Sequence, residues 1–137
     1  KRQVLDLSAT ALEQVRARVD DDRVSFVVGD VLDAVPDGPF DCWHDRAVLH
    51  FITDAAARAR YAATVARAVT RGGIAVIGCF APDGPEQCSG LAVARASADD
   101  LVALFAPHFT LERDERIDHT TPWGAMQPFT WVVLRRV

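Results

Sequence analysis

Short apolar runs alternate with amphipathic stretches along most of the chain. Val4-Leu5-Asp6-Leu7 is a brief apolar segment broken by one acid, and it predicts a strand. Ser8 can cap a helix behind it, whose apolar positions Leu12, Val15 and Val19 recur at helical spacing before Asp20-Asp21-Asp22 ends it in a polar turn. Val24-Ser25-Phe26-Val27-Val28 is β-branched and apolar, suited to a buried strand, and closes at Gly29-Asp30. Pro36-Asp37-Gly38-Pro39 reads as a turn, and Phe40-Asp41-Cys42-Trp43-His44 as a third strand leading into Asp45-Arg46.

Thr53 is expected to cap a long helix from about Asp54 to Thr70, with Tyr61, Val65, Ala68 and Val69 on one face and Gly72-Gly73 as its stop. Ile74 to Phe80 is a fourth, almost wholly apolar strand. The stretch from Ala81 to Ala96 holds Pro82, Gly84, Pro85 and Gly90 and reads as a long functional loop. Ser97-x-x-Asp100 has the form of a capping box, opening a helix with Leu101, Leu104 and Phe105 inward. Phe109 to Ile117 and Phe129 to Val137 alternate about a turn at Pro122-Trp123-Gly124, which predicts a closing antiparallel hairpin. Apolar strands alternating with amphipathic helices require a mainly parallel sheet covered on both faces. The expectation is one α/β domain over residues 1–137, Rossmann-like, with an antiparallel tail.

Composition narrows the class. Half of the 137 residues are hydrophobic and a quarter charged, which is globular usage. A net charge of −4 argues against nucleic acid as the main partner, because phosphate binding needs a basic face. Three cysteines, Cys42, Cys79 and Cys88, form an odd set at unrelated spacings, which fits a reducing compartment better than a disulfide framework. No apolar run approaches the ~18–20 residues of a membrane helix, and the basic pair at the start has no signal-peptide core behind it. A cytoplasmic protein without membrane partners is expected. No metal is expected: His44 and His50 are six apart, and neither Cys-x-x-Cys nor His-x-x-x-His occurs.

Three strands end at an acid: Asp6, Asp30 and Asp45. In an open parallel sheet, ligands bind at the carboxyl ends of strands, where a carboxylate can accept hydrogen bonds from ribose hydroxyls or an adenine amine. Aspartate also serves there as a cap or turn former, so it is the repetition in successive strand–helix units that points to a nucleoside.

With these residues the chain resembles the class I S-adenosylmethionine-dependent methyltransferases. Val-Leu-Asp-Leu-Ser at 4–8 looks like the family's ribose-binding strand end, which implies Asp6 and Leu7 at the ribose. Val-Gly-Asp-Val at 28–31 is similar to the adenine-binding turn, implying Gly29, Asp30 and Val31. Phe-Asp-Cys-Trp-His-Asp-Arg at 40–46 looks like the fourth strand and the motif beside the methyl group, implying His44 and Asp45 at the cofactor. Arg-Gly-Gly at 71–73 matches the approach to the fifth strand. The Trp-x-Asp-Arg wording, with Tyr61 in the next helix, is closest to small-molecule methyltransferases of the thiopurine type. The family's first strand and its Gly-x-Gly-x-Gly loop have no counterpart, so the chain looks like the carboxyl-terminal two-thirds of the fold. The absent strand lies centrally in that fold, and its gap calls for a segment outside these residues, direct pairing of the flanking strands, or strand exchange with a second copy.

The resemblance implies S-adenosylmethionine as cofactor and a small-molecule methyl acceptor. Asp45 and His50 are the candidate bases, because an imidazole titrates in the useful range; a structural histidine is the plainer reading of His50. Arg46, Cys88 and Trp123 are the candidate acceptor-binding residues, with His119 close to Trp123 in the hairpin turn. Cys42 and Cys79, inside predicted strands, read as buried structural thiols. Two other readings stand beside this one: a non-catalytic methyltransferase remnant, exchanging strands as a homodimer, and a nicotinamide-binding Rossmann-type domain, since an acid after a second strand also holds the ribose of that cofactor.

Overall fold

The computed structural model describes residues 1–34 and 36–137, and its backbone falls into two compact units, Lys1–Gly38 and Pro39–Val137. The division falls at the expected Pro36–Pro39 turn. In the first unit β1 (Arg2–Asp6), α1 (Ala9–Arg18) and β2 (Val24–Val28) form a strand–helix–strand crossover, with β1 and β2 parallel in register from Arg2↔Val24 to Asp6↔Val28. Ser8 caps α1 as its position predicts, its hydroxyl accepting the Ala11 N–H at 3.1 Å. Leu12 is buried, while Val4, Leu5, Phe26 and Val27 are half-buried and Val28 is exposed. The buried strand expected at 24–28 is therefore only partly covered, because this sheet has two strands and its unit one helix.

The second unit builds β3 (Phe40–Arg46), a single 3-10 turn (Leu49–Phe51), α2 (Ala55–Ala68), β4 (Val69–Phe80), the two-residue strands β5 (Gln87–Cys88) and β6 (Leu91–Ala92), α3 (Ala98–Phe105), β7 (Phe109–Thr120) and β8 (Met126–Arg136). Its sheet runs β3-β4-β8-β7, with β3 and β4 parallel and β8 antiparallel to both of its neighbours. The α/β class and the closing hairpin are as the sequence predicts. One sheet face, carrying Ala75, Ile77, Cys79, Val132 and Leu134, is buried, and the helices α2 and α3 pack together and against the sheet with Tyr61, Val65, Leu101 and Phe105 inward. Burial of each large apolar side chain of this set contributes about 1.5–3 kcal/mol. Among the described residues β1 and β3 each have one ladder partner, β2 and β4 respectively.

Three local expectations need correction. The cap of α2 is Asp54, not Thr53: its carboxylate accepts the Ala57 N–H at 2.9 Å. The helix stops at Ala68 and passes directly into β4, since the β-branched pair Val69-Thr70 favours extended backbone. Gly72-Gly73 instead lie within β4, where the register with β3 jumps from Phe40↔Val69 to Cys42↔Ile74. Gly72 takes φ +83 there, and a Cβ on Gly73 would meet the Asp41 carbonyl oxygen at 2.9 Å. The capping box of α3 is present in full, the Ser97 hydroxyl accepting from Asp100 N–H at 3.1 Å and the Asp100 carboxylate from Ser97 N–H at 2.8 Å. The loop 81–96 contains the β5–β6 hairpin, turned by Ser89 and Gly90, both with positive φ.

Gly78 of β4 admits the indole of Trp131, and a Cβ there would lie 2.6 Å from the ring. Gly78→Ala is expected to displace the indole and cost about 1–3 kcal/mol, read as a lower midpoint in urea denaturation. A midpoint equal to that of the parent would show that the ring rests elsewhere.

Candidate functional site

In the first unit, the parallel register brings Asp6 and the Gly29-Asp30 turn to one edge, where Gly29 N–H donates to the Asp6 carbonyl at 3.0 Å. Each aspartate has committed one carboxylate oxygen to its own turn. Asp6 Oδ1 accepts from Ser8 N–H at 2.8 Å, and Asp30 Oδ1 from Leu32 N–H at 2.9 Å. Their Oδ2 atoms carry no hydrogen bond among the described residues, so each turn presents a fixed and unused acceptor. Leu7 beside Asp6 is exposed, and Val31 beside Asp30 is buried. All five first-unit residues expected at a nucleoside thus come from this one edge.

In the second unit, His44, Asp45 and Arg46 alternate across β3, so that His44 and Arg46 share one face and Asp45 takes the other. The reading of Asp45 as a base open to an acceptor is corrected: it is 4% exposed and serves as an internal acceptor. Its oxygens accept from Val48 N–H at 2.9 Å, from Leu49 N–H at 3.0 Å and from the Tyr61 hydroxyl. Trp43 Nε1–H donates to the Tyr61 hydroxyl in turn at 3.1 Å. Between these groups Ala47 adopts φ +63, an uncommon conformation for a residue with a Cβ, and its N–H is held by the Gly78 carbonyl at 2.8 Å. Burial pushes the Asp45 carboxyl up, against the pull of the Tyr61 hydroxyl and the two backbone donors. The Tyr61 hydroxyl is driven well above its ordinary range by burial and by the adjoining carboxylate.

His50 is buried completely between the rings of Phe51 and Phe80, with centroids 4.6 and 4.7 Å away. Its Nδ1 accepts the Phe80 N–H over a long 3.4 Å, which puts the proton of the neutral ring on Nε2. Nε2 has no partner among the described residues. Burial lowers the pKa from 6.5 to about 4. His50 is thus neutral at pH 7 and packed in the interior, which agrees with its plainer reading as a structural histidine and not with its reading as a base.

Arg46 places its guanidinium 5.5 Å from the centre of the Phe129 ring and has no carboxylate partner among the described residues. Cys88 is half-buried in β5, and Trp123 at the hairpin tip is 79% exposed. Cys79 is buried, with burial raising its thiol to about 11. Cys42, expected to be buried, is exposed, because it lies on the sheet face opposite Asp45. Cys42 pairs with Ile74 and Cys79 lies five residues further along β4, roughly 17 Å on, so these two thiols do not converge. Among the described residues no three His, Cys, Asp or Glu side chains gather as a metal site, and no helix is long and apolar enough to cross a membrane. Sequence reasoning missed Tyr61 as the partner of Asp45, Phe129 as the neighbour of Arg46 and Trp131 as the neighbour of His44. The first lies 16 residues away across a helix, and the others depend on which strand lies beside β4.

Strand–helix–strand units with parallel pairing, and a last strand inserted antiparallel between its neighbours, give the architecture of the class I S-adenosylmethionine-dependent methyltransferases. A family model described as a methyltransferase domain matches residues 3–77, more than half of the chain, and the chain belongs to that family. Solved structures share its fold. A SAM-dependent methyltransferase from Methanosarcina mazei superposes with a TM-score of 0.78 at 14% identity, over 98% of this chain and 81% of its own. The N-methyltransferase NodS from Bradyrhizobium japonicum, in complex with S-adenosyl-L-homocysteine, gives 0.76 at 14% identity, over 98% of this chain and 65% of its own. The 1,6-didemethyltoxoflavin-N1-methyltransferase of Burkholderia thailandensis, with 1,6-didemethyltoxoflavin and S-adenosylhomocysteine bound, gives 0.75 at 21% identity, over 98% of this chain and 61% of its own. No curated protein matches the sequence.

Two outcomes test this geometry. Asp45→Ala leaves two backbone donors and the Tyr61 hydroxyl without an acceptor and is expected to cost about 3 kcal/mol, with Asp45→Asn losing less; equal urea midpoints for the parent and Asp45→Ala would refute the role. For His50, the folded pKa of about 4 lies below the unfolded 6.5, so the unfolded chain takes up the proton first on acidification. The stability from this group is complete above pH 6.5 and is lost as pH falls toward 4, by roughly 3 kcal/mol in all. The His50→Phe variant is expected to show a flatter fall in Tm between pH 6.5 and 4 than the parent, and parallel curves would contradict a neutral buried ring.

Proposed function

We propose that this chain binds S-adenosylmethionine and takes part in methyl transfer to a small-molecule acceptor. The observation that carries the reading is the pair of turns at Asp6 and Asp30, each holding one carboxylate oxygen fixed and leaving the other open at a shared strand edge. Those oxygens suit the hydroxyls of a ribose and the amine of an adenine, with Leu7, Gly29 and Val31 lining the same edge. When bound, the cofactor supplies a methyl group already activated on a sulfonium.

The residues of the second unit then have distinct tasks. Asp45 is a positioning residue: by fixing the backbone of Val48 and Leu49 it holds the carboxyl end of β3, and His44 and Arg46 with it, in one orientation. His50, neutral and enclosed by aromatic rings, supports the 3-10 turn and keeps water from its surroundings. Arg46 and His44, on the opposite face, are the groups available to orient an acceptor. The neighbour from Burkholderia thailandensis, which holds 1,6-didemethyltoxoflavin, supports a small molecule as the acceptor class.

Calorimetric titration of the chain with S-adenosylhomocysteine tests the cofactor reading. Binding is expected, weakened at least tenfold in Asp6→Ala, while NAD gives no heat. Absence of heat with S-adenosylhomocysteine would leave the remnant reading, and a signal with NAD alone would favour a nicotinamide cofactor.

A further inference from the structure

One face of the second unit's sheet carries a row of rings edged by nitrogen donors that the fold does not use. Arg46, Gly78 and Trp131 are at one cross-strand level, Arg46 opposite Gly78 and Gly78 opposite Trp131. Gly78 has no side chain, so the Trp131 indole lies over its backbone and approaches His44 of β3, with ring centroids 5.8 Å apart. Phe129 follows along β8, stacked against Trp131 at 6.2 Å with the rings 22° from parallel. His119 of β7 meets Phe129 edge-on at 6.3 Å, and the Arg46 guanidinium lies 5.5 Å from the same ring.

Among the described residues, neither the side chain of Arg46 nor the rings of His44 and His119 form a hydrogen bond or an ion pair. Other arginines of the chain are engaged in two-pronged pairs: Arg23 with Asp21, Arg116 with Asp83, Arg135 with Glu112. The acid on this face of β7, Glu115 opposite Trp131, is also taken, by Arg113 at 3.1 Å. A guanidinium resting against an aromatic ring keeps its fork of N–H groups free for a planar oxyanion. The net charge of −4 gives no general attraction for anions, so any such preference has to arise locally.

We propose that this face is the acceptor site and that it takes a planar aromatic carboxylate. The ring stacks on the exposed part of Trp131, and the carboxylate is gripped by Arg46 with His44 and His119 as flanking donors. Calling it the acceptor site rests on the methyl-transfer reading; the ligand class rests on this face alone.

The test titrates the chain with 1-naphthoate, its neutral amide 1-naphthamide and the non-aromatic cyclohexanecarboxylate, following the indole N–H signals by NMR, with that of Trp131 assigned from a Trp131→Phe variant. Naphthoate is expected to shift the Trp131 signal and to bind at least tenfold more tightly than either control. Arg46→Gln, an exposed position, should reduce naphthoate to the level of the amide, and Trp131→Leu should reduce it to the level of the cyclohexane acid. Equal binding of all three ligands, or naphthoate binding unchanged in Arg46→Gln, overturns the proposal. S-adenosylhomocysteine titrated in parallel separates the two claims. Its binding with no response to naphthoate removes this site and leaves the methyl-transfer reading, whereas naphthoate binding without it keeps the site and removes that reading.

Discussion

The carboxylate of Asp45 is the constraint from which the second unit takes its local form. An ionisable group this deeply buried is costly unless its oxygens are filled, and here they are filled from two directions, by the backbone after β3 and by the hydroxyl of Tyr61 on α2. Strand, turn and helix are held to one arrangement by a single side chain. The same bonds hold the chain through the unusual φ of Ala47, a conformation that persists only when its surroundings determine it. Because Asp45 points inward, the strand's alternation sends His44 and Arg46 outward together. The polar groups offered to a ligand are thus selected by the one that is withheld.

Most of the architecture was legible in the sequence because it rests on local signals. Ser8 and Ser97-x-x-Asp100 marked helix starts that the structure keeps, and the run at 24–28 became β2 residue for residue. The Pro-Trp-Gly turn correctly placed the closing hairpin. The boundary between α2 and β4 was misread because Gly72-Gly73 is a familiar helix stop. Here the pair is needed for a backbone crossing beside Asp41, which no local pattern announces.

The candidate site was legible only in part, and the division has a physical basis. Asp6 and Asp30 act within two residues of themselves, through turns that a sequence displays directly. The inward path of Asp45 depends on Tyr61, and the enclosure of His50 on Phe80 thirty residues away. The company of Arg46 depends on β8 lying against β4 in one particular register. Such facts belong to the tertiary structure, and identical local sequences could have presented the opposite faces.

The strand order has a consequence for biosynthesis. β8 is made after both of the strands it joins, yet it occupies an interior place between β4 and β7. While residues 126–136 are still within the ribosome, β4 and β7 have no ladder joining them, and the nascent unit exposes the long apolar flank of β4. The β3-β4-β8-β7 sheet therefore closes only once β8 has emerged, and until then a chaperone sheltering that flank would have the most to protect.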